Sequence, residues 1–177
     1  MSDRRPLVVK IGGGLLRAEG LDGLRRGCAE ALELARERPV LVVPGGGPFA
    51  DAVRDLDAQV GLGDHLAHLL ALRAMDQLGV LVAPMLPAAA LVRSLVAPAS
   101  LGLLMAAPAF ANRPEIPESW DVTSDSLAVL AAGAIGADEA ILLKPVDGAG
   151  VDPFLPEATR RTGVAVTVRA PGGPGTR

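Results

Sequence analysis

The chain has 177 residues and a formal charge of −3, enough for one domain with a core of its own. It is half hydrophobic but holds only three Phe, one Trp and no Tyr, and it has no long basic run, so base-stacking or general nucleic-acid binding is disfavoured. Its one cysteine, Cys28, permits neither an internal disulfide nor a cysteine zinc site and favours a reducing compartment.

The charged residues 1–5 run straight into a short strand-like segment and do not read as a signal peptide. Residues 6–11 (PLVVKI) form a β-branched run that ends in Gly12-Gly13-Gly14, as a buried strand entering a turn does. Residues 22–37 are amphipathic at helical spacing, with Leu24, Cys28, Ala31, Leu32 and Ala35 on one face. Residues 39–43 (PVLVV) repeat the buried-strand pattern and lead into Pro44-Gly45-Gly46-Gly47-Pro48. Helices are predicted over residues 49–59 and 64–78. The second is apolar on more than one face, through Leu66, Leu69, Leu70, Leu72 and Met75, which points to a subunit interface and a homodimer or higher oligomer. Residues 79–112 are apolar and punctuated by prolines, and read as two short strands with a loop between them. The longest apolar stretch, residues 80–92, is interrupted by Pro84 and Pro87 and is too short for a membrane span. The expected protein is therefore soluble and cytoplasmic, with neither membrane nor nucleic acid as partner. Residues 124–134 read as a helix capped by Thr123 or Ser124, residues 139–143 as a buried strand and residues 163–169 (GVAVTVR) as the last strand. With no repeat or linker, residues 1–170 are expected to form a single domain and residues 171–177 a flexible tail.

Apolar strands alternating with helices predict an α/β fold whose mainly parallel sheet is covered on both faces. Ligands bind such sheets at the carboxyl ends of the strands, and both glycine runs fall there. Glycines at that position make tight turns, and they also let backbone N–H groups approach an anion. Neither run is a Walker A motif, since no Gly-Lys-Ser/Thr follows. Gly45-x-Gly47-x-x-Ala50 loosely fits a dinucleotide pattern, but the acid expected to end the next strand is absent, because Asp64 opens a helix instead.

Lys10 ends an otherwise apolar strand, two residues before the first glycine run. A lysine there either reaches water or neutralises a transferring phosphoryl group. Asp125 stands at a predicted helix start, where acids often serve only the helix dipole. Lys144 ends a strand before Pro145-Val146-Asp147-Gly148, an ordinary turn sequence. His65 and His68 share a helical face but have no third partner in the sequence, so no residue is assigned to a metal. Cys28 reads as inert packing.

Together, Val9-Lys10-Ile11-Gly12-Gly13, Val43-Pro44-Gly45-Gly46-Gly47-Pro48, Thr123-Ser124-Asp125-Ser126-Leu127-Ala128 and Leu143-Lys144-Pro145-Val146-Asp147-Gly148 resemble, in order, the blocks of the amino acid kinase superfamily. The resemblance implies a three-layer αβα sandwich and direct in-line phosphoryl transfer from ATP, with Mg2+ arriving with the nucleotide. It implies that Lys10 binds the transferring group, that Gly12, Gly13 and Gly14 serve the donor phosphates, and that Asp125 orients the lysines. Gly45, Gly46 and Gly47 then hold the acceptor and the migrating group. Lys144, Asp147 and Gly148 lie by the nucleotide. Two further runs, residues 117–126 (PESWDVTSDS) and residues 48–54 (PFADAVR), with Ala74-Met75-Asp76-Gln77, look like the branch related to the (aminomethyl)furanylmethyl phosphate kinase of methanofuran biosynthesis. That likeness implies a small phosphomonoester bearing an amine or a ring as acceptor, converted to a diphosphate. The planar fork of an arginine suits the acceptor's own phosphate, and Arg54 is the choice, with Asp76 and Gln77 for the amine or ring. The competing readings are a non-catalytic nucleotide- or oxyanion-binding protein on the same fold, a dinucleotide binder, and a kinase of a carboxylate or carbamate.

Overall fold

The computed structural model describes residues 5–145 and 150–173. Six strands form one sheet in the order β3-β4-β2-β1-β5-β6: β1 (Leu7–Ile11), β2 (Val40–Pro44), β3 (Ala90–Val92), β4 (Leu101–Leu104), β5 (Glu139–Leu143) and β6 (Ala165–Arg169). Every pairing is parallel, as the continuous apolar runs predict. Among the described residues six α-helices cover it: α1 (Gly13–Leu34), α2 (Gly47–Val60), α3 (Asp64–Val82), α4 (Ala106–Phe110), α5 (Ser124–Ala134) and α6 (Leu155–Thr162).

Side-chain alternation along the strands divides the core in two. Leu7, Val9 and Ile11 of β1 pack with Leu15, Leu24 and Cys28 of α1 on one face. Val8 faces the other way, with Leu127, Ala128 and Ala131 of α5. The period of two puts Lys10 on the face of Val8, and the one-residue step past Leu143 does the same for Lys144. Both lysines are thereby directed at the start of α5.

Several boundaries differ from the sequence expectation. The first glycine run is not a free-standing turn: Gly12 ends the strand segment and Gly13 opens α1, which runs to Leu34 through a break at Gly20, whose φ is +62°. Helix α3 continues past Leu78 to Val82, with Gly79 packed against the Pro44 ring. Its two apolar faces are used inside the chain: Leu72 and Met75 join one half of the core, Leu78 and Val82 the other. Of the residues on which an interface was expected, Leu72 and Met75 are thus taken up by the core, whereas Leu69 and Leu70 are half-buried and Leu66 is 45% exposed. With its 3-10 extension, Asp64–Met85 has the length and apolar composition to cross a membrane, but half of it is buried in the fold, as in a core helix. Two helices were not anticipated. Helix α4 is a single apolar turn with a proline in it, and α6 is a short polar helix whose Glu157 pairs with Arg160 and Arg161. The C-terminal segment is not free as far as it is described: Gly172 donates its N–H to Glu30 at 2.7 Å, and Arg169 pairs with the same carboxylate.

Candidate active site

The two glycine runs meet at one edge of the sheet. Gly45 donates its N–H to the carbonyl of Ile11 at 2.9 Å, locking the ends of β1 and β2 together. Beyond it, Gly13 and Gly47 are in backbone contact; a Cβ on Gly13 would lie 2.0 Å from the Gly47 Cα. Gly47 also has φ +55°, a conformation that side chains resist. The helices that start here, α1 and α2, have no side-chain cap on their first N–H groups, which lie at the positive ends of two helix dipoles; in α2 the second position is Pro48, which has no N–H.

A cavity of about 370 Å³ opens at this point. Lys10, Asp125 and Lys144 line its floor. Lys10 Nζ lies 2.7 Å from Asp125 Oδ1 and Lys144 Nζ 2.7 Å from Oδ2, so one carboxylate bridges both ammonium groups. These are the only two lysines in the chain, all other cationic side chains apart from histidine being arginine. All three residues are buried, at 5%, 3% and 7% exposure. Burial pulls the Lys10 ammonium below its ordinary 10.5 against the attraction of Asp125, with Lys144 adding to the depression. Burial pushes the Asp125 carboxyl up, but Lys10 and Lys144 outweigh it and hold it below the ordinary 3.8. Asp125 stays ionised, and the floor presents two ammonium groups on its carboxylate, with the buried Asp152 carboxylate also lining the cavity.

Lys144 Nζ also donates to the Gly150 carbonyl at 2.7 Å. Two residues on, the buried Asp152 accepts from Thr123 N at 2.9 Å, Thr123 Oγ1 at 2.8 Å and Ser126 N at 3.0 Å, and pairs with Ser126 Oγ. The predicted local cap on α5 is therefore replaced by a carboxylate from a distant segment; Thr123 occupies the cap position without a side-chain cap bond of its own. Asp152 fixes the helix start that carries Asp125. Sequence reasoning passed it over because its partners lie at least 26 residues away.

Of the other anticipated residues, Gly12, Gly13, Gly14, Gly46, Gly47 and Arg54 line the cavity. Gly45 does not; it lies behind the lining and sets the spacing of the two runs. Asp76 and Gln77 are not brought to the cavity. Asp76 Oδ1 accepts from Ala107 N at 3.2 Å at the start of α4, and Gln77 is on the outer side of α3, exposed. Asp147 and Gly148 lie outside the described residues. His68, buried with its pKa lowered by burial, lines the cavity, while His65 hydrogen-bonds Glu118 at 2.9 Å. Arg17 and Trp120 also line it.

Uncapped helix starts, close-packed glycines and two lysines suit a polyphosphate such as that of ATP. Among the described residues no group of three or more His, Cys, Asp or Glu side chains is placed to hold a metal.

Residues 5–149 match the amino acid kinase family, and the chain belongs to that family, a family of phosphotransferases. It is 27% identical over 148 residues to the [5-(aminomethyl)furan-3-yl]methyl phosphate kinase of Methanocaldococcus jannaschii, a match covering 80% of this chain and 66% of the relative, just under two thirds of its length. Among solved structures it is similar to the uridylate kinase of Archaeoglobus fulgidus (TM-score 0.70, 17% identity, 93% of this chain and 90% of that one). It is also similar to the UMP kinase of Ureaplasma parvum (TM-score 0.68, 14% identity, 97% and 92%). At those identities the structural likeness speaks for the fold, which is the expected αβα sandwich.

Proposed function

We propose that the protein is an ATP-dependent kinase that converts a small phosphomonoester, bearing an amine or a ring, to a diphosphate, as in methanofuran-type cofactor biosynthesis. The observation that carries this reading is the bridge from Asp125 to both lysines at the point where two uncapped helix starts converge. ATP, bound with Mg2+, supplies the γ-phosphoryl group, which passes to an oxygen of the acceptor's phosphate with release of ADP. Lys10 neutralises the charge on the moving group. Asp125 holds both ammonium groups in place, and Lys144 serves the donor side. The first N–H groups of α1 and α2 grip anionic oxygens from two directions, countering the repulsion between two phosphates. The acceptor class follows the family relative, whose name gives a phosphate monoester as its substrate. A homo-oligomeric assembly belongs to the same proposal, and light scattering at micromolar concentration tests it.

The test of function is a coupled ADP-release screen across phosphomonoesters, carboxylates and carbamate. Turnover confined to ring- or amine-bearing phosphomonoesters, with a diphosphate product, is expected. Turnover of a carboxylate alone overturns the acceptor class. ATP binding without turnover of any acceptor selects the non-catalytic alternative.

A further inference from the structure

The rim of the cavity repeats the pattern of its floor with different side chains. Arg17 of α1 and Arg54 of α2 line the cavity, while Asp51, between them, does not. Asp51 engages both: Oδ2 pairs with Arg17, and Oδ1 lies 3.3 Å from an Arg54 nitrogen. The Arg54 guanidinium also lies over Trp120, 4.7 Å from the ring centroid, and Trp120 in turn donates to Asp57 at 2.8 Å. Two planar cationic forks are thus aligned at the mouth, with their carboxylate outside the lining.

We propose that Arg17 and Arg54, aligned by Asp51, form the subsite for the acceptor's own phosphate. This rests on the kinase reading and adds to it a residue, Arg17, and a division of labour. A transferring phosphoryl group changes its bonding, and compact ammonium charges on the floor can follow it. An acceptor phosphate must instead be held in one orientation, which bidentate guanidinium contacts do better than a point charge. Arg17 uses a single nitrogen on Asp51, and its other N–H groups have no protein partner among the described residues. About half of its side chain surface is exposed, so a ligand phosphate meets it without a large desolvation cost. The carboxylate keeps two like charges side by side until a dianion arrives.

The experiment uses the whole chain, with benzyl phosphate as the acceptor probe and a non-hydrolysable ATP analogue with Mg2+ as the donor probe. Calorimetry measures both affinities in wild type, Arg17→Gln and Arg17→Lys, with thermal unfolding as the check on folding. Arg17→Gln is expected to weaken benzyl phosphate about tenfold or more while leaving the ATP analogue within about twofold, and Arg17→Lys to recover only part of the loss. Unchanged benzyl phosphate affinity in Arg17→Gln overturns the subsite and leaves the kinase reading standing. A loss confined to the ATP analogue, or no benzyl phosphate binding by wild type at millimolar concentration, also overturns it. If benzyl phosphate binding depends on Arg17 but wild type binds no ATP analogue, the anion subsite holds and the kinase reading falls.

Discussion

The floor and the rim of the cavity have the same composition, two cations on one carboxylate, in opposite surroundings. On the floor Lys10, Asp125 and Lys144 are nearly sealed from water. On the rim Arg17, Asp51 and Arg54 have 53%, 38% and 43% of their side chains exposed. A buried charge of either sign is costly without its partner, whereas an exposed pair is cheap to form and cheap to break. Identical stoichiometry therefore predicts a rigid, catalytic floor and an adjustable, recognising rim, and each variant below tests that contrast.

The largest effect is expected at Lys10. Lys10→Ala removes the charge nearest the moving phosphoryl group, and the loss in turnover should be on the order of a thousandfold, by comparison with other single electrostatic stabilisers. Asp125 keeps Lys144 as partner, so the fold should survive. Steady-state ADP release measures it; wild-type turnover in Lys10→Ala breaks the assignment of the floor to chemistry.

Asp125→Asn comes next. It leaves two buried ammonium groups facing each other without the carboxylate that bridges them, and breaking a buried pair in this way typically costs about 3–5 kcal/mol. Denaturant unfolding near neutral pH reads the loss, and turnover should fall at least tenfold, about 1.4 kcal/mol in the barrier. A carboxylate that served only the helix dipole would cost roughly 0.3–1 kcal/mol and leave the rate alone.

The wild-type pH dependence sharpens the same point. With the folded Asp125 carboxyl below 3.8, the unfolded chain binds more protons just under that value, so the stabilisation from Asp125 is complete above 3.8 and is lost only as pH falls through the depressed folded value. With the folded Lys10 below 10.5, the unfolded chain again binds more protons between the two values, so stability gains with rising pH there. Activity should nevertheless fall in that window, because the ammonium is lost. An alkaline limb of kcat/KM at or above 10.5 would remove burial as the controlling influence on Lys10.

What could be read from the sequence follows from the range of each interaction. Lys10 was legible because strand alternation and the adjoining glycines fix its position locally, and Asp125 because family spacing ties it to a helix start. Asp152 was not, because its bonds to Thr123 and Ser126 cross from a segment that carries no cap signature of its own. Arg17 was hidden for a different reason. The expected helix began at residue 22, so residues 13–19 had no face to be assigned to; the backbone contact of Gly13 with Gly47 is what turns that segment into the first turns of α1. Asp76 was assigned to the acceptor through the family likeness of its run, while the short helix α4, whose Ala107 N–H its carboxylate accepts, left no periodic signal in so apolar a stretch.

The smallest effect is expected at Asp51. Asp51→Asn removes the rim carboxylate just as Asp125→Asn removes that of the floor. Here both guanidinium groups can turn to water, so the charge left behind keeps its hydration. Exposed pairs are worth about 0–1 kcal/mol, and surface substitutions of this kind usually stay within about 0.5 kcal/mol. Denaturant unfolding should therefore scarcely distinguish the variant from wild type. The KM for a phosphomonoester should shift by less than in Arg17→Gln, since both arginines remain and only their alignment is relaxed, while an anion competing for them is gone. A stability loss above about 2 kcal/mol would mean that Asp51 is as structural as Asp125, and the two triads would then differ in nothing but depth.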